Sequence, residues 1–237
     1  MRMLSSLPLG AAVALLAALA FAPAGGVGQS VTVDEGVFLI SMNGERVGTE
    51  SFSIRRSGSG EDAQIIATAE IQLDLPEGLT DLRPSLHAVG REMSVYAYQI
   101  KVSGGQQEEL TVREGDRRYI TRVRSERGER EREFRAAPGT LLLDSDVAHQ
   151  FHFLASRLAA GATAIPVISP REGRQYELRV SDLGSESIQI GGASVQARHL
   201  RLEGEGGPRD IWIDGEDRVL RVEQSARGYV AVREAAP

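Results

Sequence analysis

The sequence predicts a mainly β protein, an antiparallel sheet with one main α-helix around 145–160. Three observations predict it. Apolar and polar residues alternate at period two from Val31 almost to the C-terminus, glycine-containing turn signals punctuate that alternation, and only Asp144 to Ala160 combines helical spacing with the absence of Gly and Pro. The strands belong either to one continuous curved sheet or to two packed sheets, and the pattern allows both. With 41% hydrophobic and 5% aromatic residues among 237, the chain has the material for a core and is unlike a collagen or a disordered chain.

The elements follow in order. Val37 to Met42 runs into Asn43-Gly44, a two-residue hairpin signal, and alternation resumes through Val47, Phe52 and Ile54. Gly58-Ser59-Gly60 breaks the chain; the glycines are turn residues. Further strands are read at Ala63 to Leu73, His87 to Val102, Glu108 to Arg113 and Arg117 to Ser125, with turns at Gly104-Gly105 and Glu114-Gly115-Asp116. The helix places Val147, Phe151, Leu154 and Leu158 on one face, with Asp144, Ser145 or Asp146 available to cap its start and Gly161 just past its end. Ile165 to Pro170 reads as an extended connector, because each proline lacks a backbone donor and disfavours helix before it. Strands then return at Gln175 to Ser181, Ser187 to Ile190, Ser194 to Glu203, Asp210 to Asp214, Val219 to Gln224 and Tyr229 to Arg233. Residues 40–58 echo residues 188–206 at a constant offset of 188 − 40 = 148; two ordinary hairpins with glycine turns, or two related β meanders flanking the helix, account for it.

Residues 1–24 predict export. Arg2 precedes an apolar run from Leu7 to Phe21, and Ala22-Pro23-Ala24 supplies the small-x-small site of a cleavable signal peptide, leaving 25–237 as a single β-rich domain. The run is shorter than the roughly 20 residues that span a bilayer, with an uncleaved anchor as the alternative. The absence of cysteine leaves no thiol for a lipid anchor and removes disulfides, thiolate nucleophiles and Cys-ligated metal centres. A periplasmic location is the expectation for such a chain in a bacterium with two membranes.

Net charge is 27 − 33 = −6, which argues against a nucleic-acid partner. Nine arginines lie between Arg113 and Arg135, but acids interleave with them almost residue by residue from Glu126 to Glu133, cancelling the field a phosphate backbone needs. The segment reads as a solvated hairpin around Gly128 whose charges blunt an exposed sheet edge, with a polar docking surface as the other reading. His149 and His152, with Asp144 and Asp146 before them, do not match the H-E-x-x-H spacing of a zinc helix; no metal is expected, His149 is expected solvated and His152 at a boundary. His87 and His199 sit in strands without a recognisable triad, and no nucleophile elbow, P-loop or dinucleotide fingerprint is present, so neither a catalytic site nor a cofactor is expected. In Asp210-Ile211-Trp212-Ile213-Asp214 both faces are apolar at the centre, which predicts cover on each side. Trp212 is a core anchor or lines a lipid-accepting cavity; with Phe151 and Leu154 it forms the candidate ligand-binding set.

The stretches Asp146-Val147-Ala148, Phe153-Leu154 and Arg157-Leu158, then Tyr176 and Leu178, then Gly192, Val195 and Ala197, and finally Asp210 to Asp214 with Arg218-Val219-Leu220 resemble an uncharacterised family of exported bacterial proteins of unknown function. The likeness spans most of the chain beyond residue 24. It implies a periplasmic antiparallel β protein with a curved sheet similar to the half-barrels that shield lipid chains in outer-membrane lipoprotein carriers, and it has no established catalytic residues to transfer. The leading functional expectation is therefore a non-catalytic binding protein for an apolar ligand, such as a lipid, or for a cell-envelope protein. The alternative is a structural or assembly protein acting through its charged surface with no ligand cavity; a filled interior lacking a space of about 300 Å³ removes the main support for the first.

Overall fold

The computed structural model describes residues 30–105 and 107–237; the export segment assigned to residues 1–24 lies outside the described residues. Alternation yields fifteen strands: β1 (Val31–Met42), β2 (Glu45–Ser57), β3 (Gln64–Leu75), β4 (Gly78–Val89), β5 (Ser94–Gly104), β6 (Glu108–Gly115), β7 (Arg118–Ser125), β8 (Gly128–Arg135), β9 (Leu141–Leu142), β10 (Ala164–Ser169), β11 (Arg174–Ile190), β12 (Ala193–Gly204), β13 (Arg209–Ile213), β14 (Val219–Gln224) and β15 (Tyr229–Arg233). They form one sheet, in the order β8-β7-β6-β5-β4-β3-β2-β1-β15-β14-β13-β12-β11-β10-β9. Of the two arrangements left open by the pattern, the continuous curved sheet is the one adopted. Its two arms join where β1 pairs antiparallel with β15, from Phe38 opposite Arg233 to Met42 opposite Tyr229. Every pairing is antiparallel except β9 with β10.

Period-two burial follows the pleat. Along β3, Ile65, Ala67, Ala69, Ile71 and Leu73 point inward while their neighbours face solvent. Residues of this parity from nearly every strand form one core, and the segment between β9 and β10 packs into it. That segment holds a five-residue 3-10 turn (His149–Phe153) running into α1 (Leu154–Ala159). Its contacts reach far apart across the sheet, to Glu50 on β2, to Tyr98 on β5 and to the Glu92 and Met93 carbonyls between β4 and β5. The concave side of the sheet is thus filled by the chain itself.

The helix expected over 145–160 is shorter, and tertiary bonds explain why. Leu143 N–H donates to the Ile168 carbonyl, and the Asp144 N–H donates to the Gln150 side chain at 2.7 Å. Asp144 accepts from the Tyr98 hydroxyl at 2.9 Å rather than capping a helix, and Asp146 takes a left-handed φ of 65°, so residues 144–148 serve the sheet. The expected apolar stripe is buried or half-buried, but so are Ala148, His149, Gln150, His152, Phe153 and Arg157: the segment is enclosed on all sides. His149 and His152 are therefore interior residues, correcting the solvated and boundary positions expected of them.

Three readings of the strands also change. The run His87 to Val102 is broken by a turn with Gly90 at φ 76° and Met93 at φ 51°, and β4 begins earlier, at Gly78. Pro84 disguised that start. It pairs with Ile100 of β5, while toward β3 the ladder skips from Ser85 to Leu82 because proline has no N–H to give. The supposed connector at 165–170 is β10, whose Pro166 lies where β9 does not reach. Both echoing hairpins close with two left-handed residues, Asn43-Gly44 (φ 52° and 85°) and Gly191-Gly192 (φ 56° and 84°), the same turn at the same offset.

Candidate functional site: a filled interior and an arginine-lined concavity

Glu50 anchors the interior segment. It shares its parity with Phe52 and Ile54, so the pleat carries a carboxylate to the inner face, where it has no solvent exposure. It accepts from the backbone N–H of Ala148 (2.7 Å) and His149 (2.8 Å) and from His149 Nδ1 (2.6 Å). The Nε2 of the same ring has no partner among the described residues. Phe52 stacks on the same imidazole at 5.9 Å. A second anchor is Asp144, which takes the Tyr98 hydroxyl and an ion pair from Arg171 at 3.1 Å; burial and the adjacent Asp144 charge push the Tyr98 hydroxyl well above its ordinary range, so it stays a donor. Neither ring nitrogen of His152 has a partner among the described residues, and burial, followed by the charges of His149 and Arg233, lowers its pKa to about 4.

The expected ligand-binding residues do not come together. Phe151 and Leu154 belong to the main core inside the sheet. Trp212 points the other way, into a small outer cluster with Ile190, Ala197 and Leu220, while Ile211 and Ile213 point inward, so the strand is covered on both sides. The outer cover comes from the end of the β11–β12 hairpin, whose bulge at Asp182/Gly184 lets Ile188 and Ile190 pack over the outer face. Trp212 stacks on its cross-strand neighbour His199 at 4.3 Å, carries the Arg221 guanidinium at 4.9 Å on the β14 side, and donates Nε1–H to Glu186 at 2.6 Å. Its ring and its donor are both occupied by protein. Asp210 closes the cluster with His199 and Arg201; burial pushes its carboxyl up, but those hydrogen bonds outweigh burial and hold it below the ordinary carboxylate range.

The four histidines do not gather into one site: His87 binds Gln64 on the exposed face, His149 and His152 lie together inside, and His199 sits in the outer cluster. No group of three metal-ligating side chains forms among the described residues. A concavity of about 670 Å³ lies at one end of the sheet where β5 and β7 begin, β6 and β8 end and α1 finishes. Ser94, Glu114, Arg117, Tyr119, Arg135 and Arg157 line it, with the loop 136–140 as its wall. Arg157 is buried; its Nε donates to the Gly139 carbonyl at 2.9 Å and its Nη atoms to the Glu92 and Met93 carbonyls. Burial lowers the Arg157 pKa, and raises that of Tyr119 to about 12. Glu50 was not singled out in the sequence and Arg157 entered only through the family resemblance, although each carries a signal: Glu50 falls at inward parity, and Arg157 stands three residues after Leu154, beside the apolar stripe.

Residues 103–235 match the model of the domain of unknown function DUF6134, more than half of the chain. The chain belongs to that family. The DUF6134 segment spans the end of β5 through β15, so it contains the interior segment and Arg117, Arg135 and Arg157, while Glu50 precedes it. No curated protein matches the chain in sequence. Among solved structures, a β-barrel-like protein of another domain of unknown function, DUF1849, from Brucella abortus is similar, with 8% identity, a TM-score of 0.47 and coverage of 84% of this chain and 93% of that one.

Proposed function

We propose that this DUF6134 protein is an exported, non-catalytic binding protein that engages an envelope partner at its surface and does not enclose an apolar ligand. The observation that carries this reading is the filled interior. The space a lipid chain would need is occupied by Val147, Phe151, Phe153 and Leu154 of the chain itself, all buried and tied to the sheet through Glu50 and Asp144. Trp212, the other residue considered for a lipid, is capped by His199, Arg221 and Glu186. Charged side chains line concavities at the ends and seam of the sheet, among them Arg117, Arg135 and Arg157 in one, Asp144, Arg174 and Arg209 in a second and Arg132 and Arg171 in a third. Export is supported by the pattern of residues 1–24, and among the described residues no helix is long and apolar enough to cross a membrane. The absence of a catalytic motif and the distribution of the histidines over three separate places in the fold support a non-catalytic role.

Native mass spectrometry of protein expressed with its own N-terminus and recovered from a periplasmic extract tests this reading. The expected species begins at Gly25 and carries no lipid. A stoichiometric lipid adduct would restore the carrier reading, and retention of residues 1–24 in the cytoplasm would remove export.

A further inference from the structure

We propose that the concavity between α1, the loop 136–140 and the strand ends binds an oxyanion, a phosphate or carboxylate group, through Arg117 and Arg135 in the field of Arg157. The proposal rests on the surface-binding reading above and gives that surface a ligand chemistry. Three guanidinium groups face the space against one carboxylate, Glu114, in a molecule whose net charge is −6. None of the three has a carboxylate within 4 Å among the described residues, whereas the arginines of the neighbouring β7–β8 ladder, Arg118, Arg122 and Arg124, are all paired with glutamates. Arg157 is the deciding member. It is 4% exposed and its guanidinium bonds carbonyl and hydroxyl oxygens of Gly139, Glu92, Met93 and Ser156, with the Glu92 carboxylate acting on it from beyond ion-pair distance, so it is held in place as a fixed, largely desolvated cation.

An anion entering the space relieves that desolvated charge and meets two exposed guanidinium groups whose planar donor forks fit an oxyanion in pairs. The other polar groups define the shape of the space and do not compete. Tyr119 donates to the Val95 carbonyl at 3.1 Å, and the Thr140 hydroxyl donates to the Ala137 carbonyl at 2.7 Å. Ala136, Ala137 and Pro138 form an apolar wall for a small organic body attached to the anion.

The test is thermal unfolding and calorimetric titration of the chain from residue 25 with inorganic phosphate, at constant ionic strength set with chloride. Saturable stabilisation is expected, weakened roughly tenfold or more in Arg117→Gln/Arg135→Gln and unchanged in Arg55→Gln, an exposed arginine elsewhere. No saturable response, or an equal response in the double variant, overturns the proposal. Arg157→Lys, which keeps the charge if Arg157→Gln fails to fold, is expected to retain phosphate binding. Flotation with phosphatidylglycerol vesicles, competed by inorganic phosphate, assigns the oxyanion to a lipid headgroup; a phosphate response without flotation assigns it to a soluble ligand. Failure of phosphate to bind leaves the native mass result intact, so the two readings fail separately.

Discussion

His152 shows what the interior asks of a single residue. Its ring lies edge-on to Phe153 with centroids 5.7 Å apart, and neither nitrogen has a partner among the described residues, so folding selects the neutral form. An unfolded histidine binds its proton near pH 6.5, while the folded one does so only near 4. Stability from this site is therefore fully present above pH 6.5 and is lost as the pH falls toward 4. The expected loss is about 2–3 kcal/mol by pH 4.5, measured by urea unfolding, and His152→Phe should flatten that part of the profile. An unchanged slope in the variant would place the acid sensitivity elsewhere. Glu50 poses the opposite case, a buried group whose three bonds tie β2 to residues 148 and 149; a charged residue just before Ser51-Phe52-Ser53-Ile54 gives little sign that its partners lie about a hundred positions away.

β8 makes an equivalent argument for an element. Its alternation places Glu129, Glu131 and Glu133 on the outer face opposite Arg124, Arg122 and Ile120 of β7, with ion pairs Arg122–Glu131 (2.8 Å), Arg122–Glu129 (3.0 Å) and Arg118–Glu133. These exposed pairs contribute little stability each. Their larger effect concerns the free edge. Antiparallel pairing with β8 of a second copy opposes residues of one parity, so Glu would face Glu and Arg would face Arg. Replacing Glu129, Glu131 and Glu133 with threonine should permit edge-to-edge association, seen as concentration-dependent sedimentation; a variant that stays monomeric would assign edge protection to another feature. This hairpin was legible because its signal is local. The helix was less so, since Asp144 and Leu143 are drawn into the sheet by Tyr98, Arg171 and the Ile168 carbonyl, none of them adjacent in sequence.

At the scale of the molecule, the sheet curls until β8 meets the turn before β11 across a seam. No strand ladder closes it. Instead the Gln175 side-chain amide substitutes for a peptide group, accepting from the Arg135 N–H at 3.2 Å and donating to its carbonyl at 2.7 Å, and Arg132 donates to the Gly173 carbonyl nearby. Gln175→Ala should cost about 1 kcal/mol in global stability and accelerate hydrogen exchange at Arg135 selectively, with β1 and β15 unaffected. Unaltered exchange at Arg135 would show that the interior segment alone holds the arms together. That segment, packed between strands at opposite ends of the strand order, converts a curved surface into a solid core.

The amino-acid sequence by itself determined the β class, most strand positions, the hairpin turns and the two-sided cover of Trp212, because period-two alternation and left-handed turn residues act over a few neighbouring positions. Tertiary structure alone decided that the strands form one sheet, that residues 143–158 fill its concave side, and that Glu50, Arg157 and the two interior histidines are enclosed. Those outcomes depend on partners tens of residues apart and on burial supplied by the whole sheet, which no local pattern encodes.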